Sequence, residues 1–182
     1  GTWVESMQLS KGSGSVVNGY EGTAGQINVE WQKPFEEKTP RLYLNAYQSI
    51  QGRSEGNLVY SRDFKTGLST NLFLHGSSNW LKNDYNHDGF LDNPLGKSFI
   101  GANRWFLFGE DGIEIQGGLK VVYSKNTGGQ ENYNSKTEFP PDLAWGYQQE
   151  LKRMEAWAKI GKVFVAQPWK SMGLQLSGVY HD

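Results

Sequence analysis

The strongest constraint on this chain is a two-residue alternation that recurs along most of its length. In residues 113–123, Ile113, Ile115, Leu119, Val121 and Tyr123 fall on one side of an extended chain, and Glu114, Gln116 and Lys120 on the other. Residues 172–180 repeat it, with Met172, Leu174, Leu176 and Tyr180 opposed to Gln175 and Ser177. Residues 68–76 set Leu68, Thr70, Leu72 and Leu74 against Ser69, Asn71 and His75, with Phe73 as the exception. Weaker alternation runs through 41–47, 57–62, 99–108 and 155–165. The pattern predicts about seven strands in the last four-fifths of the chain. Two further short strands are expected at 4–10 and 26–32. The segment 150–164 also admits a helix, since Leu151, Met154 and Ala158 recur at helical spacing, but Gly161 interrupts it and strand is the preferred reading.

Several of these runs are about nine to eleven residues long, enough to cross a bilayer at a tilt. Strands of soluble sandwiches are usually about five or six. Connections differ in length as well. Short ones with turn residues are expected at 64–67, 109–112 and 167–170, and long ones at about 79–97 and 124–152. Short turns at one end and long loops at the other suit an outer-membrane barrel.

Composition leaves two classes open. The 182 residues include 23 Gly, 7 Trp, 9 Tyr and 9 Phe, with no Cys and a formal net charge of -1, while the mean hydropathy is only -0.62. A polar average with many aromatics fits a membrane β-barrel with aromatic girdles. It also fits a soluble all-β domain with an aromatic core or a sugar-stacking face, and composition by itself favours the latter. Balanced charge gives no sign of nucleic-acid binding. The missing cysteines exclude a disulfide framework and a thiolate metal site. No basic and apolar leader opens the chain, and no apolar run is long enough for a membrane helix. The expectation is a chain that starts partway through a larger protein.

The first thirty residues are more specific. Glu5-Ser6-Met7 leads to a Lys11-Gly12 turn, then to Ser15-Val16-Val17-Asn18-Gly19 and to Gly25-Gln26-Ile27-Asn28-Val29. This ordered stretch resembles the end of the plug domain in TonB-dependent outer-membrane receptors, in the Bacteroidetes-type, siderophore-receptor-like form. The features His75-Gly76, the acidic run from Asp84 to Pro94, and Asn103-Arg104-Trp105 extend the resemblance over essentially the whole chain. The resemblance implies an all-β chain: part of a transmembrane antiparallel β-barrel, about seven strands of a family total of about 22, with the C-terminal part of a plug. Residues 1–34 would be plug, 35–40 a linker and 41–182 barrel wall. It also implies residence in the bacterial outer membrane among its lipids, a scarce ligand such as a ferric siderophore or other metal chelate, and driving by the TonB energy-transducing complex through a box upstream of this chain. Lys11, Gly12, Ser15, Asn18, Gly19, Gly25, Gln26, Ile27 and Asn28 carry the plug motif. The plug would pack on polar, hydrated lumen residues such as Asn45, Asn57, Asn71, Gln116 and Lys120.

One loop has metal-ligand spacing. Asp84, Asn86 and Asp88 occupy positions 1, 3 and 5 of a calcium-type loop with Gly89 at position 6. Phe90 would add its carbonyl and Asp92 would fill position 9. Position 12 is Leu95, so a full EF-hand is excluded. A loop folded by Asx-turns is the simpler reading. His75, His87 and His181 form no catalytic or zinc-protease pattern, and enzymatic activity is not expected. The competing function is a soluble secreted β-domain that binds saccharide, with calcium in this loop.

Overall fold

A computed structural model describes residues 2–12, 24–36, 39–64, 66–109, 112–134, 144–167 and 169–182. Two antiparallel sheets account for the regular structure. A hairpin pairs β1 (Val4–Lys11) with β2 (Gly25–Trp31). The second sheet is a seven-stranded meander in sequence order: β3 (Leu42–Gln48), β4 (Arg53–Asp63), β5 (Leu68–Asn79), β6 (Leu95–Phe108), β7 (Ile113–Gly129), β8 (Gly146–Val163) and β9 (Ser171–His181). The described residues are therefore all-β, as the alternation predicted, and 150–163 belongs to β8.

Strand extents differ from the sequence pattern in one systematic way. β7 and β8 are 17 and 18 residues long, because the ladder continues from Lys125↔Glu150 up to Gly129↔Gly146. This upper part is polar on both faces, so no hydrophobic period marks it as strand. The two long connections shrink to 80–94 and 130–145. In a meander they lie at the same end, with a short turn at 49–52 beside them. The tight connections at 64–67 and 109–112, and that at 164–170, lie at the opposite end.

Register separates two faces. Opposed residues share a face, so Tyr43, Val59, Phe73, Ala102, Lys120, Glu155 and Val179 line one side. The adjacent row, Leu44, Leu58, Leu72, Asn103, Leu119, Ala156 and Gly178, lines the other. The small core of Val59, Phe73 and Ala102 is covered by Trp3 and Trp31 from the hairpin, and we call this side the hairpin face. Nothing in the described residues covers the other, open face. There Leu44, Leu119, Leu174 and Leu176 are 65%, 54%, 60% and 62% exposed.

The open face is apolar over a bounded height. On β7 it runs Ile113, Ile115, Gly117, Leu119, Val121 and Tyr123 before Lys125, and on β6 it runs Leu107 to Phe99 before Lys97. Its polar members are internally paired. The Thr70 hydroxyl donates to the Arg104 carbonyl (2.8 Å), Asn103 Nδ2 to the Asn71 carbonyl (2.8 Å), and Trp105 Nε1 to Asn103 Oδ1 (2.5 Å). Side chains satisfied in this way need no water.

Candidate functional site

The hairpin face carries the features that could act on another molecule. Its lower part holds the hairpin through aromatic rings. Trp3 and Trp31 lie 5.4 and 5.6 Å from the Phe73 ring, and 6.0 Å from each other. They meet because Val4 pairs with Trp31 at the base of the hairpin, which brings both indoles to one end. Phe73, the residue that broke the alternation of 68–76, is fully buried beneath them. Phe35 from the following segment stacks edge-on against Phe106 and Phe108, at 5.5 and 5.0 Å.

Polar groups surround this knot. His75 Nδ1 shares a 2.8 Å hydrogen bond with Asn57 Oδ1, and Asn57 Nδ2 donates to Asn45 Oδ1 at 3.3 Å. Asn71 Nδ2 donates to the Ser61 hydroxyl at 2.8 Å. Lys120 and Arg153 both pair with Glu155, at 3.3 and 2.6 Å. Gly118 faces this side without a side chain, and the Trp157 ring occupies the space its Cβ would need. Trp3 Nε1, Gln32 Oε1, Ser69 Oγ and Asn71 Oδ1 are buried without a hydrogen-bond partner among the described residues.

The sequence expectation about this contact was half right. Asn45, Asn57, Asn71, Gln116 and Lys120 do share the face that receives the hairpin. The contact itself is centred on aromatic rings. It is an aromatic knot with polar groups at its rim, because both tryptophans occur where the hairpin meets the sheet. Their places, Trp3 just ahead of β1 and Trp31 at the end of β2, were a usable signal, but it required the hairpin register.

The motif residues of the hairpin lie elsewhere. Lys11, Gly12, Gly25, Gln26, Ile27 and Asn28 occupy its far end, with Lys11 opposite Gly25 and Gln8 opposite Asn28. Gly12 has a φ of 92°, a turn conformation suited to glycine. Ile27 is 66% exposed. Ser15, Asn18 and Gly19 lie outside the described residues.

At the junction of hairpin and sheet, Lys33 pairs with Glu36 at 3.3 Å. A hydrogen bond with Glu36, with some burial, raises the Glu5 carboxyl above its usual range. The Glu36 carboxylate raises the Lys33 ammonium.

The upper part of the hairpin face forms a polar basin of about 460 Å³ under the long connections. Tyr47, Ser77, Ser98, Ser124, Asn126 and Tyr147 are among its lining. Hydroxyls, amides and phenols of this kind, with Arg53 and Lys97 also in the lining, can hydrogen-bond a hydrophilic ligand.

The loop above it is folded by its own carboxylates. Asp84 accepts from the Asp88 and Gly89 amides, at 3.2 and 2.9 Å, and Asp88 Oδ1 from the Phe90 amide at 2.8 Å. Asp92 accepts from the Tyr85 amide at 2.8 Å, and Asn86 donates to Asp88 at 2.9 Å. His87 and Gly89 take positive φ. Asp84, Asn86, Asp88, Phe90 and Asp92 therefore come together, and these Asx hydrogen bonds account for the loop's shape. Among the described residues, no cluster of three or more His, Asp or Glu has the arrangement of a metal site. Phe90 also bridges to Gln130, which ties this loop to the top of β7.

No protein-family model, curated protein or solved structure matches the chain.

Proposed function

We propose that this chain is the end of the plug and the first seven wall strands of a TonB-dependent outer-membrane receptor, which binds a scarce ligand and imports it. The observation that carries the reading is the open face. Its apolar band is about 9 to 11 residues tall, which at about 3.4 Å per residue and a tilt of about 40° spans roughly 25 Å. That is the height of the lipid-facing band of an outer-membrane barrel. The opposite face is mixed and polar, as a lumen is, and it carries the hairpin that the resemblance names as plug. On this reading the basin under the long connections meets the ligand, a ferric siderophore or other metal chelate. The TonB complex supplies the pull that moves the plug.

A soluble saccharide-binding domain would bury Ile113, Ile115, Leu119, Leu174 and Leu176 between two sheets. The exposure of this face favours the wall. Calcium in the 84–92 loop is a subordinate proposal, since Asp84, Asn86 and Asp88 recur at calcium-loop spacing and the turn at Gly89 is of the kind a calcium loop needs.

The test is depth-dependent quenching of tryptophan in vesicles of brominated-acyl lipid. Trp105 is on the open face and Trp157 on the hairpin face. Trp105→Phe should remove a large share of the lipid-dependent quenching, and Trp157→Phe should leave it. Equal effects of the two substitutions would sink the wall assignment.

A further inference from the structure

Arg104 is a guanidinium in an unusual setting. It projects from β6 onto the hairpin face, at the level of Asn71 and Gly118. Its side chain lies 5.6 Å from the Trp31 ring centre and 4.8 Å from that of Phe106. Its hydrogen-bond contacts are two long ones, 3.5 Å each, to the carbonyls of Trp31 and Gln32. Among the described residues no carboxylate forms an ion pair with it. A guanidinium offers five donors in a planar fork, so most of that capacity is unused. A partly buried charge normally has a charged partner.

Beside Arg104 is a crevice of about 290 Å³ between the hairpin and the sheet. Lys33 enters it from the hairpin side and Lys159 from β8, and Glu30 is the single carboxylate in its lining. Glu30 accepts from the Ser6 hydroxyl at 3.0 Å, and Lys33 pairs with Glu36. Lys159, like Arg104, has no acidic partner among the described residues. Trp31 and Trp157 are also in the lining, and Gln116 adds an amide.

We propose that this crevice is a binding site for a small phosphate-type oxyanion. The Arg104 fork matches two oxygens of a phosphate, and Lys159 and Lys33 act as point charges on the others. Arg104, Lys159 and Lys33 set three cations against the Glu30 and Glu36 carboxylates, so the crevice keeps a net positive charge that suits an anion. The site is made jointly, with Lys33 and Trp31 from the hairpin and Arg104 and Lys159 from the sheet. An anion there would fasten the hairpin to the sheet. The inference rests on this geometry alone and holds whether or not the chain is part of a receptor.

Inorganic phosphate is the probe. It is titrated into the full chain in a phosphate-free detergent at constant ionic strength, followed by calorimetry and by exchange of the hairpin amides. Saturable binding at millimolar phosphate is expected, with slower exchange in β1 and β2. Arg104→Gln should weaken binding by about tenfold or more. Lys159→Gln, at an exposed position, should weaken it severalfold. Failure to saturate, an equal response to chloride, or unchanged affinity in Lys159→Gln would overturn the proposal.

Discussion

The aromatic knot sets a measurable link between the hairpin and the sheet. The hairpin shares no ladder with β3–β9, and a lone two-stranded hairpin is marginal in water. Its order must come largely from the contact of Trp3 and Trp31 with Phe73. Phe73→Ala removes a fully buried ring, at a cost of about 3–5 kcal/mol. Part of that is packing on Val59 and Ala102 within the sheet. Two aromatic pairs at 5.4 and 5.6 Å account for about 0.5–1.5 kcal/mol each, so about 1–3 kcal/mol belongs to docking. At about 1.4 kcal/mol per decade, the hairpin amides should exchange roughly 5- to 150-fold faster. The assay is amide exchange, comparing Met7 to Ser10 in β1 with Leu72 to His75 in β5. A Trp3→Ala and Phe73→Ala double-mutant cycle should return a coupling of about 0.5–1.5 kcal/mol. If the sheet loses stability while β1 exchange and the coupling stay at zero change, the knot is not what holds the hairpin.

Three further outcomes follow from named contacts. Leu119→Arg on the open face should cost about 2–4 kcal/mol in a bilayer, and Ser177→Arg on the hairpin face should cost far less; denaturant titration in lipid vesicles compares them. Because the Glu5 carboxyl is raised when folded, the folded chain holds its proton more tightly, so hairpin stability falls as pH rises through the carboxyl range. Amide exchange of β1 against pH should show this slope, and Glu5→Gln should flatten it. Millimolar calcium should raise the melting temperature of the parent and not of an Asp84→Asn, Asp88→Asn double variant; a parent unmoved by calcium removes the ion from the 84–92 loop.

The sequence made the sheet legible because its open face is apolar across nearly every strand. Ile113 to Tyr123 and Met172 to Tyr180 alternate cleanly, and both are strands. Legibility failed where that face stops being apolar. The upper halves of β7 and β8, Ser124 to Gly129 and Gly146 to Lys152, pair as well as the lower halves but read as loop. The site was less legible still. Phe73 appeared as a flaw in the pattern because it belongs to the hairpin face, where a single large apolar residue is used to receive two indoles. Arg104 stood within a recognisable Asn-Arg-Trp triplet, yet its isolation from carboxylates depends on strands β2, β6, β7 and β8 meeting. In the 84–92 loop the Asx hydrogen bonds were legible from the spacing of Asp84, Asn86 and Asp88, because such bonds are local.

The knot also bears on how firmly the hairpin is held. Its aromatic contacts favour docking, but Trp3 Nε1, Gln32 Oε1, Ser69 Oγ and Asn71 Oδ1 are buried there without partners among the described residues. Each such atom weakens the contact relative to a satisfied one, by about 1–3 kcal/mol where it stays unpaired. The orphaned atoms therefore work against the docking that the rings favour. An interface built to be permanent would pair those atoms, as the open face pairs Thr70, Asn103 and Trp105. On the proposed reading of the hairpin as part of a plug, unpaired atoms at this contact would ease its separation from the sheet. Filling the deficit should therefore strengthen it: Asn71→Leu, which removes the orphaned oxygen and its Ser61 bond together, should slow β1 exchange if the deficit governs docking. Faster exchange would show that the Asn71–Ser61 bond matters more than the orphaned oxygen beside it.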